Sequence, residues 1–385
     1  MIKGSKRTRS QKKLARSIKM KAAVSVIAAV SIYIAILLFA LNQAVPNQPF
    51  NTGNSSIETY IYCVGDSGHG GENLTYYAPI MASSHAIGQW KETTPYPVGV
   101  DDVGCDIYGT HIYCVGTNST IQANQTFYAP ISSNGISQWS KSTSYPDPVT
   151  YDSCSAYRGY IYCVGDWFPP SNQTRYTKIT SSGVGNWITT TSYPIPFYWA
   201  GCAINNGYIY CVGGAQLAHT IGESDAGVFA DIAASHRNTS LTYYAPVSGN
   251  GIGQWKETTP YPQVFVMGGC SIYNNYIYCV AGEPGSNVYY APVSNSGIGK
   301  WATTTSLPVD IYQGGCVIHD GYIYCIGDRE PATTGNQSWY APILENGGIG
   351  NWTKATPFPI PFYGDSYCEI PGSGGGWTSG GGPEN

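Results

Sequence analysis

Short runs in which side chains alternate with period two recur along this chain, and five of them share one frame. DIYGTHIY, SAYRGYIY, AINNGYIY, SIYNNYIY and VIHDGYIY each set two β-favouring segments around a central dipeptide, such as Asn206-Gly207 or Asp320-Gly321. Two such segments joined by two turn residues predict a β-hairpin. With Gly109-Thr110 as the turn, Tyr108 faces His111, Ile107 faces Ile112, and Cys105 faces Cys114. The last pair is non-hydrogen-bonded, with Cα atoms about 4.5 Å apart, which suits a cross-strand disulfide. The same frame pairs Cys154 with Cys163, Cys202 with Cys211, Cys270 with Cys279 and Cys316 with Cys325. Structural zinc favours C-x2-4-C knuckles, a spacing that this chain lacks. Neither face of the hairpins is polar: Cys270, Ile272, Ile277 and Cys279 share one, Tyr276 and Tyr278 the other. A sheet apolar on both faces must be covered on both.

Cys63 lies in TYIYCVG, a second strand without its first, and Cys368 in GDSYCEI, a first strand without its second. A closed ring brings the two half-hairpins together and staples the chain ends into one blade. The complete unit occurs six times: Y-I-Y-C, a polar loop, an aromatic strand such as Tyr76 to Ile80, a glycine-rich bend, a Trp, and a Thr/Ser-rich strand ending in proline. The tryptophans are Trp90, Trp139, Trp187, Trp255, Trp301 and Trp352, and successive Y-I-Y-C cysteines lie 51, 49, 48, 68 and 46 residues apart. Four short strands in about 50 residues is the spacing of a propeller blade. The pattern resembles the kelch repeat over residues 57 to 370. Only Gly213-Gly214 keeps the double glycine, and the Tyr-to-Trp interval is longer than in the familiar kelch unit. The resemblance implies an all-β, six-bladed kelch-like propeller. Kelch-like propellers include a copper radical oxidase and a sialic acid epimerase, so the resemblance by itself leaves catalysis open.

The amino-terminal segment follows another rule. Residues 1 to 21 carry nine Lys or Arg and no acid, and Ala22 to Leu41 is an uncharged, mostly apolar run of 20. That length spans a bilayer, and the basic flank places it in the cytoplasm with the rest outside. A cleaved signal peptide fits less well, because its apolar core is shorter and no small-x-small cleavage site follows. The expected organisation is a cytoplasmic basic tail at 1–21, a transmembrane signal anchor at 22–42, a stalk at 43–56, the propeller at 57–370 and a flexible Gly-rich tail at 371–385. Removing the nine basic residues of the tail leaves ten Lys and Arg against 23 acids, a formal charge of −13 for the exported part. Nucleic acid is therefore not an expected partner. Eight N-x-[ST] sequons, at Asn54, Asn73, Asn118, Asn124, Asn172, Asn238, Asn336 and Asn351, suit an exported domain as glycosylation candidates.

Candidate chemistry is sparse. The blade-connecting loops carry Asp101, Asp102, Tyr151, Asp152, Phe197, Tyr198, Trp199, Asp310, Tyr312, Tyr363 and Asp365, which would ring the mouth of a central channel. Aromatic platforms beside carboxylates suit a glycan or protein ligand, and they equally suit packing at blade joints. The fourth repeat has an insertion of about 20 residues within Ala215 to Leu241 that carries His219, Glu223, Asp225, Asp231 and His236. Its AGVFADIAASH stretch is compatible with a helical turn. The six histidines, His69, His85, His111, His219, His236 and His319, occupy different repeat positions and show no metal-ligand spacing. No cofactor and no catalytic residue are expected. The expected function is a cell-surface binding or adhesion module on the cell membrane, held there by one transmembrane helix. The alternative is a surface enzyme acting on sugars, of epimerase, oxidase or hydrolase type, at the propeller mouth.

Overall fold

A computed structural model describes residues 57–66, 73–100, 103–116, 124–147, 153–165, 171–217, 236–283, 285–311, 315–327, 335–360, 363–373 and 375–378. The expected anchor and stalk lie outside these. Among the described residues no helix is long and apolar enough to cross a membrane.

The hairpins form in the predicted register, with Cys105 opposite Cys114 and Ile107 opposite Ile112, and likewise in the other four. The turns explain why glycine and asparagine recur there. Arg158-Gly159, Asn206-Gly207, Asn274-Asn275 and Asp320-Gly321 all take positive φ at both positions, as a type I′ turn requires. All twelve cysteines are paired, five bonds within hairpins and Cys63 with Cys368, at Cα separations of 4.0–4.1 Å.

Each hairpin supplies the two inner strands of a blade. In blade 2 these are Gly104–Tyr108 and His111–Val115, followed outward by Thr126–Ser132 and Ser140–Lys141. Blades 3 to 6 repeat the plan, with inner strands Ser153–Tyr157, Gly201–Asn205, Val266–Tyr273 and Gly315–His319. Blade 1 is composite. Its inner strand Tyr363–Glu369 comes from the end of the chain and pairs with Ile57–Asp66, which pairs with Leu74–Met81 and then Lys91–Glu92. The result is a six-bladed all-β propeller closed within blade 1.

The blades are joined by one recurring bracket. The bend between a blade's third and fourth strands enters the preceding blade. There a hydroxyl accepts from one backbone N–H and donates to the same residue's carbonyl: Thr93 with Ile136, Ser142 with Val184, Thr190 with Ile252, Thr258 with Ile298, Thr304 with Ile349. The repeat tryptophan then donates its indole N–H back to the preceding blade, as Trp139 does to Thr94 O at 3.1 Å and Trp255 to Thr191 O at 3.1 Å. Trp90 closes the ring by donating to Thr356 O at 3.2 Å. At this sixth joint Ala355 stands where the others have Thr or Ser. Only Thr356 Oγ1 to Ile87 O, 2.7 Å, remains of the hydroxyl contacts.

Both faces of each blade are covered by neighbours, and the tyrosines fill the space. Tyr62, Tyr162, Tyr210, Tyr278 and Tyr324 are at most 1 % exposed, and each stacks on a tyrosine of its third strand. Their hydroxyls reach the next blade where its bend is regular: Tyr62 to Ser132 O, Tyr162 to Ser248 O and Tyr210 to Ser294 O.

The glycine-rich end departs from the expected flexible tail. Gly375–Thr378 forms a strand that pairs on one side with Cys270 and Ser271 of blade 5 and on the other with Ser153 and Cys154 of blade 3. It lies among the inner strands, whose inward edges have no other strand to pair with. Gly375 and Gly376, without Cβ atoms, make the close approach to blade 5, and Trp377 and Thr378 make the pairing with blade 3.

Candidate functional site

Antiparallel alternation puts the blade-connecting loops and the loops between second and third strands on one face of the propeller. The hairpin turns and the bends are on the other. On the loop face, Asp101, Asp102, Tyr151, Asp152 and Tyr312 lie outside the described residues. Tyr363 and Asp365 fall in the inner strand of blade 1, and Asp310 is exposed.

Phe197, Tyr198 and Trp199 do not form an open platform. They are 1, 0 and 4 % exposed. Phe197 packs on Tyr193 with ring centroids 3.9 Å apart, and Tyr198 meets Trp199 edge-on at 4.5 Å, in a cluster with Ala215, Val266 and Met267. Backbone bonds fix the segment: Tyr198 and Ala215 exchange N–H···O contacts at 3.2 and 2.8 Å, and Met267 N donates to Trp199 O at 3.3 Å. Trp199 and Met267 both hold left-handed φ, 60° and 56°, so the fold constrains this loop closely. Phe197 is buried in the core between blades 3 and 4, while Tyr198 and Trp199 pack on blade 5 and on Ala215 at the start of the insertion. The insertion begins and ends as a strand pair, Ala215–Leu217 with His236–Asn238, laid beside the aromatic loop. His219, Glu223, Asp225 and Asp231 lie outside the described residues.

Two buried acids meet near the inner strands, and nothing in the sequence marked either. Asp106 and Glu369 occupy the position after the inner-strand cysteine in blades 2 and 1; the other blades have Ser155, Ala203, Ser271 and Val317 there. They are 5 and 1 % exposed. Asp106 reaches across to blade 3, where Ala156 N donates to Oδ2 at 2.6 Å, while Ile107 N donates to Oδ1 at 2.6 Å. Burial pushes the Asp106 carboxyl up to about 8 against the pull of those two N–H groups. Glu369 accepts from Ser373 Oγ at 3.0 Å; burial, with the charge of Asp106, holds its carboxyl well above the usual range. A carboxyl kept protonated near neutral pH is the form that a general acid needs.

A surface cavity of about 640 Å³ opens on the other face, at the seam between blades 6 and 1. Ser84 of blade 1 and Tyr322, Tyr340, Pro342, Leu344 and Asn351 of blade 6 line it, with Thr305, Thr353 and the Ile349-Gly350 backbone. The seam is irregular because the bend that enters it is long. Ile131 and Ile136 of blade 2 are five positions apart, and Ile80 and Ile87 of blade 1 are seven. The blade 6 bend, six positions from Ile343 to Ile349, stays clasped to Thr304 of blade 5. The extra length in blade 1 lets His85, at φ 53°, stack on Tyr322 with centroids 3.9 Å apart. His319 is nearby, its imidazole pKa lowered by burial and by His85, with Asp320 opposing.

The fold also accounts for half of the sequons. Asn73, Asn124, Asn172 and Asn336 each present a carbonyl to the N–H of an aromatic residue that ends the same blade, Tyr96, Tyr145, Tyr193 and Phe358, at 2.7–2.8 Å. Their Thr or Ser partners, Thr75, Thr126, Thr174 and Ser338, are 0 % exposed. Thr75 and Thr174 donate to Thr94 O and Thr191 O on the fourth strand. The repeat uses these positions structurally, though not for the asparagine itself: Ser240 and Ser286 give the same carbonyl bond in blades 4 and 5. Asn351 differs in being exposed; Asn54 and Asn118 lie outside the described residues.

Among the described residues no three His, Cys, Asp or Glu side chains cluster as metal ligands. No family model matches the chain, and no curated protein matches it. A solved structure of YjhT superposes with a TM-score of 0.56 at 12 % identity, covering 77 % of this chain and 94 % of that one. At that identity the likeness is one of fold, and with the six blades described above it establishes the chain as a six-bladed β-propeller.

Proposed function

We propose that this protein is a cell-surface binding or adhesion module, a kelch-like propeller carried outside the membrane by an amino-terminal signal anchor at residues 22–42. The observation that carries it is the covalent framework. Six disulfides, including one that closes the ring, need an oxidising compartment to form and persist. The basic segment before the apolar run supports an inward amino terminus. A seam-cavity lining whose residues carry no carboxylate, amine, thiol or imidazole favours recognition over chemistry there. The partners are the membrane, through one helix, and a glycan or protein outside. Protease added to intact cells should remove the propeller and leave a small basic stub protected; cleavage within residues 1–21 instead would refute the topology.

A second reading, a surface enzyme acting on sugars, has one observation in its favour: two buried acids, Asp106 and Glu369, on inner strands of blades 2 and 1, both held protonated by burial. Glycoside turnover abolished by Glu369→Gln in a folded protein would establish it. Turnover unchanged by Glu369→Gln and by Asp106→Asn would remove it.

A further inference from the structure

The seam between blades 6 and 1 breaks the repeat in three ways that share one result. Ala355 removes the hydroxyl clasp, the blade 1 bend that enters this seam is longer than its counterpart in blade 2, and His85 leaves that bend to stack on Tyr322. Together they open the cavity where a regular joint has a glycine packed close. In the regular joint, Gly135 sits so tightly over Tyr77 and Thr93 that no Cβ would fit.

We propose that this cavity binds a neutral sugar unit, a hexose or N-acetylhexosamine. The proposal rests on the reading of the protein as a binding module and names its ligand class and site. The lining decides the chemistry. The lining residues carry no carboxylate, ammonium or guanidinium, and the nearest imidazole, His85, is stacked on Tyr322, so an acidic sugar or a phosphate finds no fixed counter-charge in the lining itself. Its polar groups are the hydroxyls of Ser84 and Thr353 and the amide of Asn351, which both donate and accept, as sugar hydroxyls require; the Thr305 hydroxyl already donates to Ile349 O at 2.7 Å and can only accept. The apolar part is the tilted pair Tyr322 and Tyr340, with centroids 6.4 Å apart, beside Pro342 and the half-exposed Leu344. Aromatic and prolyl faces cover the C–H face of a pyranose. A lipid would leave the hydroxyls unpaired. The volume falls within the range of small-molecule sites, about 300–1,000 Å³.

The sugar has two sources. Asn351 lies in an N-x-T sequon, is exposed and lines the cavity. A glycan on Asn351 would seat its first units over Tyr340, and a separate glycan would enter from solvent.

The experiment uses the disulfide-bonded ectodomain from a host that does not glycosylate asparagine, with saturation-transfer NMR and calorimetry. The probes are methyl mannoside, methyl N-acetylglucosaminide and, as the charged control, methyl glucuronide. The neutral glycosides should bind and the glucuronide should not. Tyr340→Ala should weaken binding at least tenfold. Because Tyr340 also packs on Tyr324, Ser84→Trp serves as the second variant, filling the cavity from an exposed bend, and it should abolish binding with thermal unfolding unchanged. Protein from a glycosylating host distinguishes the sources. If Asn351 is occupied there and binding returns only in Asn351→Gln, the protein's own glycan is the occupant; equal binding from both hosts points to a separate glycan. Absence of binding by every neutral glycoside, or binding untouched by both Tyr340→Ala and Ser84→Trp, overturns the proposal. In that case, retained adhesion of the ectodomain to cells would leave the binding-module reading standing.

Discussion

The ring-closing disulfide should contribute more to stability than any hairpin disulfide, and the structure permits a matched comparison. Cys63–Cys368 spans 305 residues of sequence, Cys202–Cys211 spans 9. All four cysteines are fully buried, so replacing either pair by alanine removes the same atoms from equivalent surroundings. What differs is the loop released in the unfolded chain. On the chain-entropy model the long loop is worth about 5.7 kcal/mol and the hairpin loop about 2.7 kcal/mol at 25 °C, a difference of about 3 kcal/mol. With a urea m-value of about 3 kcal/mol/M or above for a domain of this size, the midpoints of the two double variants should differ by up to about 1 M. Reversible urea unfolding followed by tryptophan fluorescence measures it. Hydrogen exchange adds location: the ring-opened variant should lose protection in Ile57–Asp66 and Tyr363–Glu369, the hairpin variant in blade 4 alone. Equal midpoints for the two variants would refute the entropic account. Greater loss for Cys202/Cys211 would place the stabilisation in native packing instead.

Three further outcomes follow from the joints and the acids. Ala355→Thr should restore the missing clasp to Ile87 and add about 1 kcal/mol, the net value of one hydrogen bond, read as a raised unfolding midpoint. Gly251→Ala should cost about 2 kcal/mol or more, because φ there is +99° and the new methyl would meet the Thr190 clasp; a loss below about 0.5 kcal/mol would mean that the bend yields easily. Stability should fall as pH rises from about 4 to about 8. In that window folded Asp106 keeps a proton that the unfolded carboxyl has lost, and Glu369 acts in the same sense. Urea midpoints at pH 5 and 8.5 should therefore drop for the native protein and drop less for Asp106→Asn; identical slopes would show that Asp106 is already ionised.

The blade plan was legible because it is local. The hairpin register follows from a two-residue turn and period-two alternation, both contained within eight residues, and the pairing of Cys63 with Cys368 follows from each half-hairpin lacking the other. What escaped detection depends on partners far apart in sequence. The role of the tryptophans as brackets needs a carbonyl 42 to 64 residues earlier, or 266 residues away at the closing joint. Asp106 looks like any exposed strand acid until blade 3 is laid against it. The aromatics of IPFYWAG are instructive. Their position beside a proline in a blade-connecting loop allowed display or packing, and their partners in blades 4 and 5 bury them. One signal was available for the sequons. Asn73, Asn124, Asn172 and Asn336 recur at one repeat position, and periodic recurrence points to structure more than to modification.

Blade 1 also determines how the protein bears load. A chain pulled from its amino-terminal end transmits force into Ile57–Asp66, a strand flanked on both sides within its sheet. Hydrogen bonds ahead of Cys63 can unzip one after another, at small force each. At Cys63 the pull passes into a covalent bond to the last strand of the propeller, and from there around the ring rather than along a strand edge. A tether at that end would therefore draw on a mechanical fuse set by redox state: rigid while the bond is oxidised, and open to peeling from blade 1 once it is reduced.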